Sequence, residues 1–304
     1  MRRGLHVQVG PKTPVHQSAS ISSIEILVEV LDLALPVAHG WLPLPLHCAV
    51  CNESGPPQQG QNRHRLVKTL QFENDLIPCT LVKRYKRFLA DVEMPDGAVI
   101  TVHCPNPGAM LGLDAPGSRA FISDSQNPAR KLRHTLEIVE ADGTLVGINT
   151  NLPNRLAREA IENGLVEVLP DAEIRAEQKY GENSRIDFLV HEPGLPPRFI
   201  EVKNVHLVRQ PGLHEFPDCK TARGTKHLGE LIRQVEAGNR ATMLYIIQRQ
   251  DGDRFTIAAD LDPAYAEAFI MARRAGVEML ALKCHVTPQQ IVAASPVEIA
   301  DPAP

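Results

Sequence analysis

The sequence predicts an α/β protein that also carries a β-barrel: a small OB-like barrel first, then a mixed sheet flanked by helices. Three observations point there. From Leu76 to about 148, short alternating strands follow one another through Pro/Gly and Asp-Gly turns with little helical periodicity. From 149 onward, helical patterns with caps and glycine stops alternate with apolar strands. The texture changes at Asn149, which gives a barrel domain over 76–148, a sheet domain over 149–292 and a tail over 293–304.

In the barrel, LIPCTLVKRYKRFLADVEM opens as an alternating strand, and PDG turns the chain into a second strand, AVITVHCP. NPGAMLGLDAPGSRAFISDS adds Gly/Pro turns and the strand RAFIS. HTLEIVEADGTLVGINT reads as a hairpin about ADG. In the second half, NRLAREAIENGL reads as a helix with a glycine stop, and AEIRAEQKYGENSRIDFLV and PRFIEVKNVHLV read as strands. TARGTKHLGELIRQVEAG reads as a helix despite its internal glycines, and NRATMLYIIQRQ as a buried strand. DPAYAEAFIMARRAG reads as a helix with Asp262 as N-cap and Pro263 at its first position, before a last strand, VEMLALKCHV.

Residues 1–75 stand apart. ISSIEILVEVLDLAL has amphipathic spacing, a Pro-rich segment follows, and NESGPPQQGQNRHR has a linker's composition. A start assigned too far upstream, with translation beginning near Leu66 or Val67, would account for the shift. A full-length intact mass of the natively expressed protein would reject that account.

Of 304 residues, 43% are apolar and 22% charged, the composition of an ordinary globular protein. The net charge of -4 carries no global basic signature, so nucleic-acid binding must rest on local patches. Six cysteines are too few for a disulfide framework, and Cys48 and Cys51 form a lone C-x-x-C, a weak zinc signal. MRRGLHVQVG lacks a signal peptide's apolar core, and Pro36, Pro43 and Pro45 interrupt the apolar stretch at 33–50. A membrane span wants about 20 cleaner residues. A cytoplasmic protein with no membrane partner is expected. His103, His134, His206, His214 and His227 have no regular metal spacing and read as structural or surface groups. The chain has no Walker loop, no G-x-G-x-x-G after a strand and no G-x-S-x-G elbow, so kinase, dehydrogenase and serine-hydrolase chemistry find no support.

The chemistry concentrates in RIDFLVHEPGLPPRFIEVKNVHL, residues 185–207. Asp187 sits inside the first strand candidate, and Glu201 and Lys203 share one face of the second, with Val202 opposite. Charges are costly inside a sheet unless paired or bound. Antiparallel neighbours joined by the Pro/Gly turn would bring Asp187 toward Glu201. Two carboxylates repel unless they share a cation, and Mg²⁺ takes one or two carboxylates plus waters. Such an ion lowers the pKa of its water and stabilises charge on a phosphoryl oxygen, while an adjacent lysine orients that water or stabilises the transition state. The pattern points to phosphodiester hydrolysis, with Mg²⁺ or Mn²⁺ on Asp187 and Glu201 and with Lys203 near the attacking water. A solvated edge strand would also account for Glu201 and Lys203. The flanking Ile186, Phe188, Leu189, Phe199, Ile200, Val202 and Val205 argue for central strands instead. Glu159, in NRLAREAI, is a candidate third carboxylate from a helix. An ion pair with Arg155 accounts for it equally well.

Basic residues supply phosphate contacts, and KRYKR sets Lys83, Arg84, Lys86 and Arg87 around Tyr85. On a strand, Lys83, Tyr85 and Arg87 would share one face, and Arg84 and Lys86 the other. Tyr85 could stack on a base. A charged, guarded edge strand is the alternative. ARKLRH, with Arg130 and Lys131, could extend the path, and Asn106 and Gly108 lie in a turn that could admit a phosphate.

LVKRYKRFLADVEMPDG, VHCPNPGAM, INTNLPNRLAREAI, KYGENSRIDFLV, FIEVKNVHL, FPDCKTARGTKHLGEL and RAGVEMLALKC occur in this order, and together they resemble the sugar fermentation stimulation protein A family over residues 76–292. The resemblance implies a bacterial or archaeal DNA-binding protein in which an OB-like barrel precedes a restriction-endonuclease-like, PD-(D/E)xK domain. It carries the nuclease-type acids and lysine onto Asp187, Glu201 and Lys203, the helical acid onto Glu159, and a basic helix after the core onto Lys226. Pro107 departs from the small hydroxyl residue expected in VHCPNPGAM, which puts any polar contact of that turn in doubt. Two other readings stay open: a non-catalytic DNA-binding transcriptional regulator of sugar (maltose) metabolism, and an RNA-binding or RNA-processing protein.

Overall fold

The computed structural model describes residues 69–181 and 184–302. The amphipathic stretch at 21–35, the Cys48–Cys51 pair and the start near Leu66 lie outside them. β1 (Leu70–Gln71) opens the described chain. The barrel follows: β2 (Ile77–Tyr85), β3 (Leu89–Glu93), β4 (Val99–His103), β5 (Arg119–Asp124), β6 (His134–Ala141) and β7 (Thr144–Gly147). Its order is β4-β3-β2-β5-β6-β7, and β4 closes on β6 through His103 opposite Thr135. Alternation explains its interior: Cys79 and Leu81 of β2 turn inward onto Ala90, Val92, Val102, Ile122 and Leu136. Asp142 and Gly143 both hold positive φ between β6 and β7, as the ADG hairpin requires.

The second half runs α1 (Pro153–Glu162), β8 (Glu173–Tyr180), β9 (Ser184–His191), β10 (Arg198–Val205), β11 (Leu207–Gln210), β12 (Gly212–Phe216) and α2 (Ala222–Glu236). It continues with β13 (Arg240–Ile247), β14 (Gly252–Ile257), α3 (Pro263–Ala275), β15 (Glu278–Val286), β16 (Gln290–Pro296) and β17 (Glu298–Ile299). A seven-stranded mixed sheet has the order β1-β16-β15-β13-β10-β9-β8. Its centre, β10-β13-β15, is parallel. Parallel neighbours need crossovers, and α2 and α3 supply them. Leucine and isoleucine on alternate positions of β13 therefore face α1 on one side, while Met243 and Tyr245 face α2 and α3 on the other. Asp262 caps α3 by accepting from the Tyr265 N–H, with Pro263 at the first turn. No helix among the described residues is long and apolar enough to cross a membrane.

The structure moves two boundaries. β1 falls in the segment whose composition suggests an extension, yet it pairs with β16, and Leu70 is 1% exposed in the core beneath α1. The proposed tail at 293–304 holds the end of β16 and all of β17. β17 edges a second sheet, β11-β12-β14-β17, that the sequence pattern did not reveal. Two-residue strands are too short to show alternation.

Asp218 fastens barrel to sheet domain. Its carboxylate accepts from the Met110 N–H at 2.9 Å and lies 3.4 Å from His206 Nε2. Gly108 fits only because it lacks a side chain, since a Cβ there would stand 2.6 Å from that carboxylate. Burial pushes the Asp218 carboxyl up, but His206 and the Met110 N–H outweigh it and hold it at about 2. A folded-state value below the unfolded one, about 3.9, gives stability that is present above pH 4 and fades as pH falls through 2. Asp218→Ala is expected to lose on the order of 1–3 kcal/mol at neutral pH. Its denaturant midpoint should also fall less steeply than wild type's between about pH 4 and 2. Parallel curves would show that Asp218 is not the source.

Candidate active site at the β9–β10 junction

The β9–β10 ladder pairs Arg198 with Val190, Phe199 with Leu189 and Ile200 with Phe188, then ends. The next pair in that register would be Glu201 with Asp187. On its other side β9 pairs with β8 at Phe188 and Ile186, but Asp187 has no partner there, and Glu177 opposite holds a left-handed φ of 52. Ile186 packs under α2 and α3, whereas Phe188 packs under α1. The strand therefore turns over at Asp187. Its Oδ2 reaches across and accepts from the Val202 N–H at 2.7 Å, replacing the lost ladder bond. Its Oδ1 accepts from Asn154 Nδ2 of α1 at 2.8 Å.

β10 carries Glu201, 3% exposed, and Lys203 on one face. Lys203 Nζ donates to Glu201 Oε1 at 2.6 Å. α2 turns Gly224, His227, Leu228, Glu230 and Leu231 inward, and His227 Nδ1 meets the same Oε1. Arg223 Nε stands 3.3 Å from His227 Nε2. Nδ1 also lies 3.3 Å from Lys203 Nζ, but its contact with the acceptor Glu201 Oε1 is far closer, so we assign the ring proton to Nδ1, facing Glu201, with Nε2 left to accept from Arg223. Glu201 Oε1 is thus held by two donors. Glu201 Oε2 is buried without a hydrogen-bond partner among the described residues.

The two carboxyls shift in opposite directions. Burial pushes the Asp187 carboxyl up, and the charge of Glu201 adds to that. Burial also opposes charge on Glu201, but Lys203 and His227 outweigh it and hold the carboxyl below its ordinary range. Such a pair favours a shared cation. No three His, Cys, Asp or Glu side chains converge as a ligand cluster among the described residues. A hard divalent ion needs only one or two carboxylates, with water completing its shell.

Asp187, Glu201 and Lys203 come together, and Glu159 does not join them. Glu159 Oε2 accepts from the Leu70 N–H at 2.8 Å, and Oε1 lies 3.4 Å from Arg155 Nε. Helical spacing explains this. Glu159 lies five positions after Asn154, which sets them about 140° apart around α1. Asn154 takes the side facing Asp187, and Glu159 takes the side facing β1. Burial pushes the Glu159 carboxyl up, against the Leu70 N–H. Glu159→Ala, which leaves a buried N–H unpaired, is expected to lose about 1–3 kcal/mol in urea unfolding, with Glu159→Gln much nearer wild type. Equal midpoints for all three would deny the tether. Sequence reading also passed over Asn154 and Arg223, and took His227 for a structural or surface group. The i, i+3, i+4 inward face of GTKHLGEL was the signal available for His227.

The basic residues separate as well. Lys86 and Arg87 are not on a strand but in the β2–β3 turn, so no face is shared in the way KRYKR suggests. Arg84 is spent internally, donating to the carbonyls of Arg87, Asn106, Gly108 and Ala109. Tyr85 donates to Asp91, and Lys83 pairs with Asp91 at 3.3 Å. Asn106 is buried, bonding the Ile148 carbonyl and the Gly108 N–H, so its side chain holds the turn and does not face solvent. Arg130 and Lys131 are exposed in the β5–β6 loop, and Lys226 is exposed on α2.

Residues 151–290 match the family described as the sugar fermentation stimulation protein RE domain, and residues 82–148 match the SfsA N-terminal OB domain. A sugar fermentation stimulation protein homolog from Agrobacterium fabrum is 58% identical over 221 residues, covering 72% of this chain and 92% of that one. A homolog from Rhodospirillum centenum is 57% identical over 223 residues, covering 73% and 96%. The solved structure of Pyrococcus furiosus SfsA in complex with Ca²⁺ superposes with a TM-score of 0.69 at 27% identity, over 77% of this chain and 99% of that one. With both halves matched in order, the chain belongs to the sugar fermentation stimulation protein family.

Proposed function

We propose that this chain is a cytoplasmic DNA-binding nuclease that hydrolyses phosphodiester bonds with Mg²⁺ or Mn²⁺ at Asp187 and Glu201. The observation that carries the reading is the orphaned, buried Oε2 of Glu201, beside Asp187 and backed by Lys203. Burying a carboxylate oxygen with no donor is costly, and a divalent ion on Glu201 and Asp187 would remove that cost. When bound, such an ion supplies Lewis-acid stabilisation of a phosphoryl oxygen and a more acidic water.

The chain's own residues do the remaining work. Asn154 and the Val202 N–H fix the Asp187 carboxylate. Lys203 brings positive charge to the edge of the site and three donors that can orient water or a phosphate oxygen. His227 and Lys203 both hold Glu201 Oε1, which leaves Oε2 as the oxygen without a donor. Arg130 and Lys131 offer phosphate contacts from the barrel, and Lys226 from α2.

The test is cleavage of single-stranded, duplex and branched DNA with Mg²⁺ or Mn²⁺, beside ion binding followed by thermal shift. Ion-dependent cleavage together with an upward shift in melting temperature is expected. A melting temperature indifferent to both ions would sink the metal site. Ion binding without cleavage of any polymer would favour a regulator that has kept the fold. Stronger competition by RNA than by DNA would reassign the polymer.

A further inference from the structure

We propose that the β2–β3 turn and the start of α2 form one track for an unpaired DNA strand, with Phe88 stacking on a base. The inference rests on the nucleic-acid reading above and narrows its substrate to DNA with exposed bases. Lys86 and Arg87 both hold left-handed backbone, at φ 51 and 62. Asn or Gly adopts that geometry with less strain, so turn-making alone does not account for two consecutive long cations here. Phe88 follows them and is 48% exposed.

The tip is fixed from behind. Arg84 donates to the Arg87 carbonyl at 3.2 Å, and the Cys104 N–H donates to the Phe88 carbonyl at 2.9 Å. A lone exposed phenylalanine needs no explanation, but one carried on a backbone pinned from behind and beside two cations matches a base-stacking platform flanked by phosphate contacts. Tyr85, the other aromatic of this hairpin, is occupied with Asp91.

The tip also lies on the way to the site. Arg84 binds the 106–109 loop, and Met110, next along it, binds Asp218. Cys219 and Lys220 follow Asp218 and are exposed, and the charge of Arg87 reaches Cys219. α2 then begins, with Arg223 and Lys226 exposed and His227 turned onto Glu201. Arg87 beside Cys219, Lys220 next in the chain, and Arg223 against His227 thus connect the turn to the carboxylates. A paired duplex hides its base faces within the stack, so Phe88 can engage only an unpaired strand, an overhang or a frayed end.

Equilibrium binding in EDTA, which prevents ion-dependent turnover, tests this with a short oligothymidylate and a blunt duplex. Phe88→Ala is expected to weaken oligothymidylate binding about 5- to 100-fold and duplex binding by about twofold or less. Phe88→Trp should restore the affinity. Its emission, measured against wild type with its single Trp41, should be quenched by oligothymidylate. Circular dichroism checks that both variants fold. Equal losses on both polymers, or no loss on either, overturn the inference while the proposed function stands. A wild-type chain that binds neither polymer overturns both.

Discussion

Lys203→Met is expected to lower divalent-ion-dependent DNA cleavage by about 100- to 1000-fold, the effect of removing one preorganised donor from a developing charge. DNA binding in EDTA should hold. Methionine nearly matches the length and apolar stem of lysine, so packing beneath α2 is preserved. What disappears is the ammonium 2.6 Å from Glu201 Oε1. Asp187→Asn is the companion variant. Its amide oxygen can still accept from the Val202 N–H, and Asn154 can turn its own amide to match the new donor. The backbone bond is therefore kept while the charge is lost, and cleavage should fall by a similar factor together with the ion-induced thermal shift. Cleavage within a few-fold of wild type in either variant would place the reaction elsewhere.

These three residues were legible because strand periodicity and one Pro/Gly turn decide their placement. Glu201 and Lys203 share a face by the period of two, and an antiparallel return across HEPGLPP sets Asp187 opposite Glu201. The barrel was legible for the same reason. What escaped depends on how a helix docks. Nothing local in NRLAREAI tells whether Asn154 or Glu159 faces the sheet, since that depends on the rotation of α1 about its axis. A carboxylate on that helix was the natural choice until β1 supplied its donor. KRYKR misled differently. A run of cations does not show which of them a carbonyl-rich loop consumes, and here the loop after β4 consumes Arg84. The second sheet was hidden because β17 is two residues long and pairs with β14, more than forty positions away, by a parallel register.

His227 separates a structural account of the site from a functional one. His227→Ala is expected to reduce cleavage and divalent-ion affinity by about 10- to 100-fold, the usual consequence of losing a group that orients a metal ligand. The geometry predicts which replacement rescues. Arg223 fixes the ring with its proton on Nδ1, aimed at Glu201 Oε1. Asparagine places an amide nitrogen near the Nδ1 position, whereas glutamine places one near Nε2, toward Arg223. His227→Asn should therefore recover much of the ion affinity, and His227→Gln little of it, even though glutamine fills more of the histidine's volume. If His227 merely packed against β10, the order would reverse and follow volume. Calorimetric titration with Mn²⁺ reads ion affinity directly and does not depend on turnover. Glutamine rescuing as well as asparagine would show that Glu201 is not oriented through Nδ1. Rescue by asparagine alone would mean that a histidine with no metal-ligand spacing in the sequence sets which oxygen of Glu201 is left to bind.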